Sequence, residues 1–154
     1  MNSNIQPALP VDAKKLSALA IASKASWGYT PTFTDLCREV LRVTPEEIEA
    51  QSCYVYVEDG GLIKGFYLLD DLGAECDLDM LFVTPDAIGT GIGKALMHHA
   101  LSQAVVLGYQ RMLVVSDPHA LLFYEKCGGH VIGWEKSEVS DDRLLPKLEF
   151  ILRA

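Results

Sequence analysis

The sequence predicts one layered α/β domain over residues 1–154, of the α+β type, with a mixed and mostly antiparallel central sheet and helices on both faces. Three observations lead to this prediction. The chain has 154 residues, of which 49% are hydrophobic and 22% charged, which suits a globular protein with one core. Its apolar periodicity is helical before residue 52 and alternates as in strands after it. An antiparallel meander is then followed by strands and helices in turn.

The first third of the chain is predicted to be mainly helical. Asp12 can cap a helix whose apolar residues recur every three to four positions. Thr44 is followed by Pro45, and proline is favoured in the first turn of a helix. The predicted elements are a short strand at 5–8 and helices at 12–26, at 32–41 and from 44 onward.

The rest of the chain alternates strand and helix patterns. Asp59-Gly60-Gly61 separates two alternating segments and indicates a hairpin. Gly108 ends the long helical segment that follows the meander. The predicted elements are strands at 52–58, 62–69 and 75–83, a helix at 91–107, a strand at 110–115, a helix at 118–126, and strands at 131–137 and 147–152.

Charge and cysteine content limit the class of partner. A net charge of −8 argues against nucleic acid, because phosphate binding needs a basic face. We expect no membrane partner and a cytoplasmic location, since no signal peptide or spanning segment is recognisable. The four cysteines lack metal-site spacing, so we expect reduced thiols and no metal.

Residues 83–94 carry the strongest functional signal. An apolar strand is followed by three glycines in five positions and then by a helix. Such a junction presents backbone N–H groups at the positive end of a helix, where pyrophosphate binds well. A dinucleotide-binding fingerprint normally follows an early strand, whereas this loop lies after the middle of the chain. A triphosphate-binding loop requires Ser or Thr after Gly-Lys, whereas Gly93-Lys94 is followed by Ala95. Both alternatives are therefore disfavoured.

Two motifs resemble those of the GCN5-related N-acetyltransferase (GNAT) family. The first reads Val83-x-Pro85 followed by Gly89-x-Gly91-x-Gly93 and is similar to the family's coenzyme A loop. The second lies in residues 117–129, with Ala120, Phe123-Tyr124 and a closing glycine. The resemblance implies a GNAT-like fold and direct transfer of an acetyl group from acetyl-CoA, the co-substrate, to a primary amine of an unidentified small-molecule or peptide acceptor. It implies no metal.

The resemblance also implies which residues hold the cofactor. Ile88 stands where the family has a polar residue, which removes one side-chain contact. Asp117 stands where the family often has asparagine, and it equally fits a plain helix N-cap before Pro118. The cofactor-binding residues that the resemblance predicts are Leu81, Phe82, Val83, Ile88, Gly89, Thr90, Gly91, Ile92, Gly93, Lys94 and Asp117.

For catalysis, Tyr124 is similar to the family tyrosine that protonates the thiolate. Glu75 and Asp79 are the predicted bases for the amine. Alternation along the strand places both on one face together with Asp77, opposite Cys76, Leu78 and Met80. His119 is a third candidate base.

The acceptor pocket is the least defined part. In the family, the link between the first two helices overhangs the acceptor, which makes Trp27, Tyr29 and Phe33 predicted substrate-binding residues. Arg143, in the segment before the last strand, is a candidate contact for an anion or for a dimer partner, and the family often forms homodimers. The alternatives are a coenzyme A-binding sensor without turnover and a nucleotide-binding module.

Overall fold

A computed structural model describes residues 4–140 and 143–152 of the chain. Its seven strands form one sheet in the order β1-β2-β3-β4-β5-β7-β6. The strands are β1 (Ile5–Pro7), β2 (Ser52–Glu58), β3 (Leu62–Asp71), β4 (Glu75–Val83), β5 (Arg111–Val115), β6 (His130–Lys136) and β7 (Leu144–Ile151). The helices are α1 (Ala13–Ala25), α2 (Pro31–Leu36), α3 (Pro45–Ala50), α4 (Ile92–Val106) and α5 (Leu121–Lys126), with 3₁₀ turns at Pro10–Asp12, Pro85–Ala87 and Pro118–Ala120.

The sheet is antiparallel except where β4 meets β5. This parallel ladder has three pairs, from Glu75 opposite Arg111 to Asp77 opposite Leu113. Both strands run on beyond it, so they separate and open a gap on the carboxyl side of the ladder. The predicted fold class, a mixed and mostly antiparallel sheet in a layered domain, is confirmed.

Two hydrophobic cores cover the two faces of the sheet. Leu16 and Ala20 of α1 pack with Phe66 on one face, and Leu96 and Met97 of α4 contribute to the core on the other. Because β3 is covered on both sides, its central residues read as a continuous buried run. The helices on both faces also contact β4, the strand that borders the gap.

A β-bulge in β4 corrects the predicted alternation. Leu68 of β3 pairs with Met80 and Leu69 pairs with Leu78, so Asp79 is the extra residue. Leu78 packs in the α4 core, whereas Met80 packs in the α1 core. The prediction that Leu78 and Met80 share a face is therefore wrong, because one inserted residue reverses the faces that follow it.

Several element boundaries also differ from the prediction, two of them at functional segments of the chain. The predicted helix at 32–41 is α2, which ends at Leu36, and Leu36 is 58% exposed. The predicted last strand at 147–152 begins at Leu144 instead, because residues 144–146 pair with β6. Pro146 lies within this strand, where its carbonyl accepts a bond from the Ser116 N–H.

Within the described residues, no helix combines the length and apolar character needed to cross a bilayer. All four cysteines are free. Cys37, Cys53 and Cys76 are buried and Cys127 is half-buried, and burial raises the pKa of Cys53 to about 12. These thiols are therefore protonated at neutral pH.

Candidate active site

The loop between β4 and α4 has the geometry predicted for an anion site. Gly89 and Gly91 have φ values of 81° and 93°, which L side chains rarely adopt. Gly91 is the residue that caps α4, and no side chain caps this helix end. Asp86 fixes the start of the loop, since it accepts bonds from Lys64 at 2.7 Å and from the Thr84 hydroxyl at 2.6 Å.

The backbone donors of this loop are largely unpaired. The Thr90 N–H donates to the Ala87 carbonyl, so it is not free to bind a ligand as the other amides predicted for this loop are. The first turn of α4 has no acidic residue to oppose an anion. Between Ile88 and Lys94, all of which the structure describes, the N–H groups without a backbone acceptor are those of Gly89, Gly91, Ile92, Gly93 and Lys94. These donors suit a pyrophosphate, so the loop fits coenzyme A.

The edge of β4 that borders the gap offers further backbone groups. Thr84 donates its N–H to Lys64 of β3, in register with the β3–β4 ladder. Bonded pairs alternate along an antiparallel ladder, so Leu81 and Val83 direct their N–H and C=O groups away from β3, into the gap. An extended ligand such as a pantetheine arm could pair there as an added strand.

Two cavities of similar size meet at the gap. The first, about 350 Å³, is lined by the glycine loop, Ile88 and Lys94, and we refer to it as the cofactor cavity. The second, about 360 Å³, lies between β4 and β5 beneath residues of α1, α2 and the β6–β7 hairpin, and we refer to it as the acceptor cavity. The residues that line both are Trp27, Leu81, Phe82, Ala120 and Tyr124.

Tyr124 lies at the junction of the two cavities. Its side chain packs against Phe123 and Phe150, with ring centroids 5.2 and 6.5 Å away. Burial raises the pKa of its hydroxyl, and the charges of Asp77 and Asp117 add to this, so the phenol stays protonated. A protonated donor between two cavities is placed to act as a general acid.

The predicted bases do not lie together. Glu75 is paired with Arg111, which also binds Glu149 at 2.7 Å, and Glu75 lines neither cavity. Asp77 and Asp79 both line the acceptor cavity. Partial loss of water contacts raises the pKa of each to about 6, and repulsion between neighbouring carboxylates adds to the shift, although Asp79 keeps an exposed surface. The acceptor cavity therefore contains a pair of carboxyl groups able to bind a proton near neutral pH.

Asp117 is the centre of a polar cluster that the sequence did not predict. Its side chain is 7% exposed and accepts bonds from Lys24 Nζ at 2.5 Å and from Tyr29 Oη at 2.8 Å. It also caps the turn that leads into α5, by accepting the His119 N–H at 2.9 Å, and it contacts the His119 ring at 2.8 Å. Burial opposes ionisation, but the bonds from Lys24 and His119 outweigh it and lower the pKa of Asp117 to about 2.

The aromatic residues predicted at the acceptor surround this cluster. Trp27 stacks on His119 at 5.3 Å and lines both cavities. Tyr29 packs on Phe33 at 4.5 Å, and of these two only Phe33 lines the acceptor cavity. Sequence reasoning missed Lys24, whose only signal was its position in the last turn of α1.

Comparisons with known proteins agree with this geometry. The family described as "Acetyltransferase (GNAT) domain" matches residues 49–128. The chain is 34% identical over 113 residues to peptidyl-lysine N-acetyltransferase YjaB of Escherichia coli K12, covering 73% of this chain and 67% of that protein. Its Salmonella typhimurium counterpart is 42% identical over 88 residues, covering 57% of this chain and 55% of that protein.

Solved structures share the fold at low sequence identity. A GCN5-related N-acetyltransferase from Rhodopseudomonas palustris superposes with a TM-score of 0.80 at 20% identity, covering 96% of this chain and 94% of that one. The PaiA N-acetyltransferase of Thermoplasma acidophilum, solved with coenzyme A, gives 0.78 at 20% identity, covering 98% and 99%. Together with the family match, the fold and the glycine loop lead to one conclusion: this chain belongs to the GNAT family of acyl-CoA-dependent acetyltransferases.

Proposed function

We propose that this chain transfers the acetyl group of acetyl-CoA directly to a primary amine, and that a peptide lysine is the first acceptor to test. The observation that carries the proposal is the meeting of the two cavities at Tyr124. A thioester laid along β4 from the glycine loop would end at this junction, where an amine entering from the acceptor cavity could reach it. The curated relatives are named peptidyl-lysine N-acetyltransferases, which supports lysine as the acceptor.

In this proposal Asp77 and Asp79 take the proton from the incoming ammonium group. Their raised pKa values bring the pair close to the pH at which a base is effective. The pair replaces the combination of Glu75 with Asp79, because Arg111 holds Glu75 outside both cavities. His119 is left as a residue of the Asp117 cluster, since its Nδ1 is engaged with that carboxylate.

Tyr124 donates its hydroxyl proton to the departing thiolate. The backbone N–H groups on the open edge of β4 stabilise the carbonyl oxygen as it becomes negative. The loop amides of Gly89, Gly91, Ile92, Gly93 and Lys94 hold the pyrophosphate, and Leu81 to Val83 hold the pantetheine arm. No residue of the chain forms a covalent bond in this scheme.

The Tyr124→Phe variant tests the proposal. We expect acetyl-CoA to bind with nearly unchanged affinity in calorimetry, while acetylation of a lysine peptide slows by a factor on the order of 10²–10⁴. Tyr56→Phe is a matched control, because Tyr56 lines neither cavity. Full activity of Tyr124→Phe would show that the tyrosine is not the acid.

Binding measurements separate the alternatives. Acetyl-CoA at about a hundredfold excess over its dissociation constant should stabilise the protein by about 2.7 kcal/mol in a thermal melt. Stabilisation without turnover of any amine would indicate a coenzyme A sensor, and stabilisation by ATP or NAD alone would indicate a nucleotide-binding module. The homodimer and the cytoplasmic location stay predictions, which gel filtration and cell fractionation can test.

A further inference from the structure

The acceptor cavity is divided into an acidic and a basic half. Asp77 and Asp79 lie in the acidic half, where the charges that act on Asp79 are those of other carboxylates such as Glu138. The charges that act on Asp77 are those of three carboxylates and of one cation, Lys147. Lys24 and Arg143 lie in the basic half, and their charges act on Cys37 instead. An amine is attracted to the first half, and an anionic group to the second.

The described residues of the basic half carry a net positive charge. They include two permanent cations, Lys24 and Arg143, beside one carboxylate, Asp117. That carboxylate is already occupied, since its two oxygens accept bonds from Lys24, from Tyr29 and from two nitrogens of His119. The Arg143 Nη2 atom is 3.7 Å from Asp117, beyond hydrogen-bond range. Among the described residues, no carboxylate therefore forms a hydrogen bond to Arg143 that would neutralise its charge.

Arg143 is also held in a defined position. Its Nη2 atom donates to Tyr29 Oη at 2.8 Å, and its guanidinium lies 4.8 Å from the Phe33 ring centroid and 5.1 Å from that of Tyr29. Its side chain is 23% exposed and lines the acceptor cavity. A guanidinium has five N–H donors, so an oriented Arg143 has donors left for a carboxylate.

Tyr124 lines the same cavity as the residues of both halves, and the charges of Asp77 and of Asp117 both act on its hydroxyl. An acceptor whose amine reaches the thioester near Tyr124 thus has the acidic pair on one side and Arg143 on the other. Resting on the proposed acetyltransferase function, we propose that the acceptor carries a carboxylate as well as its primary amine, and that Arg143 binds this carboxylate. The carboxylate belongs either to a free amino acid or to an acidic residue beside the lysine of a peptide.

Two matched pairs of acceptors test this inference and distinguish the two sources. The first pair is Nα-acetyl-lysine and Nα-acetyl-lysine amide, and the second is a lysine peptide with Glu or with Gln as the neighbouring residue. For at least one pair, we expect kcat/KM to be about 10- to 100-fold higher for the carboxylate member, the range of one charge-assisted hydrogen bond. The pair that shows the preference identifies the source.

Variants assign the preference to Arg143. We expect Arg143→Gln to bring the ratio within each pair close to one, and Arg143→Lys to keep part of it. Arg38→Gln is the matched control, since Arg38 pairs with Asp35 on the surface and its side chain is 61% exposed. A wild-type ratio near one in both pairs, or an unchanged ratio in Arg143→Gln, would overturn the inference. Failure to bind acetyl-CoA or to acetylate any of the four acceptors would instead overturn the proposed function.

Discussion

The Asp117→Asn variant measures how strongly the polar cluster stabilises the fold. Asparagine has nearly the same shape and can still cap the turn before α5, so the change removes mainly the charge. The pKa of Asp117 falls from its usual value of 3.8 to about 2 in the folded protein. This difference corresponds to about 2.5 kcal/mol of stability at neutral pH, because each pKa unit is worth about 1.4 kcal/mol. The side chain is 7% exposed, so screening by solvent is small.

The sign of the effect fixes its pH dependence. A carboxylate with a depressed folded-state pKa stabilises the protein above the unfolded pKa, and this contribution is lost as the pH falls through 3.8 toward 2. We therefore expect the variant to lose about 2.5 kcal/mol at pH 7 and to converge on the wild type in strong acid. In a thermal melt at pH 7, this loss corresponds to a decrease in Tm of roughly 5–10 °C.

The assay is urea unfolding of both proteins from about pH 7 to about pH 3. Asp35→Asn is the control, because it breaks an ion pair in which both side chains are more than 60% exposed, and we expect a loss of at most about 0.5 kcal/mol. Asp117→Asn could instead lose less than about 1 kcal/mol of unfolding free energy at pH 7, or lose the same amount in acid as at pH 7. Either result would refute the conclusion that the charge of Asp117 is what makes the cluster stabilising.

Three further predictions concern the loop, the acidic pair and the α4 core. A Cβ added to Gly93 would have its nearest neighbour at 3.6 Å, an ordinary contact, so Gly93→Ala should weaken coenzyme A binding in calorimetry without loss of stability. Gly91→Ala should weaken binding as well, and it should also destabilise the fold by about 1–2 kcal/mol, since the φ of Gly91 is 93°. Unchanged affinity in both would contradict the loop assignment. The pKa of Asp79 is raised to about 6, so its ionisation destabilises the fold as the pH rises from 3.8 through 6. In unfolding experiments, Asp79→Asn should therefore be more stable than the wild type by about 1 kcal/mol at pH 8 and equally stable near pH 4. The gain is small because the side chain is exposed to solvent. A gain that is independent of pH would contradict this. Tyr67 Oη lies 2.7 Å from His99 Nδ1, so Tyr67→Phe should cost about 1 kcal/mol. Burial lowers the pKa of His99, so the contribution of His99 to stability should fall as the pH drops below 6.5. His99→Gln should remove this contribution, which would appear as a pH-dependent difference between the variant and the wild type.

Features set by local signals could be predicted from the sequence. Thr44 and Glu47 form a capping box at the start of α3, with the Thr44 hydroxyl accepting the Glu47 N–H at 3.1 Å. Gly60 has a φ of 92° in the hairpin turn that the sequence indicated. The glycine loop was likewise readable, because its chemistry resides in the backbone of consecutive residues.

Features set by distant contacts could not be predicted. The bulge at Asp79 depends on how β4 registers with β3, and no residue of β4 indicates it by type. Lys24 meets Asp117 across 93 positions, and Tyr29 meets Arg143 across 114. Each of these contacts depends on how α1 and the β6–β7 hairpin pack over the end of β5, which periodicity along one segment does not encode.

The short parallel ladder between β4 and β5 gives the sheet a mechanical weak point. Its three pairs are the direct sheet contact between β1–β4 and β5–β7 within residues 4–140 and 143–152. The Asp117 cluster is a second connection between the two parts, since it joins Lys24 of α1 to the turn that follows β5. An extended ligand paired along β4 in the gap would add contacts between the two parts of the sheet and so hold them together. Amide hydrogen exchange at Leu81 and Val83 should therefore slow when such a ligand binds, because the ligand accepts bonds from the exposed edge of β4.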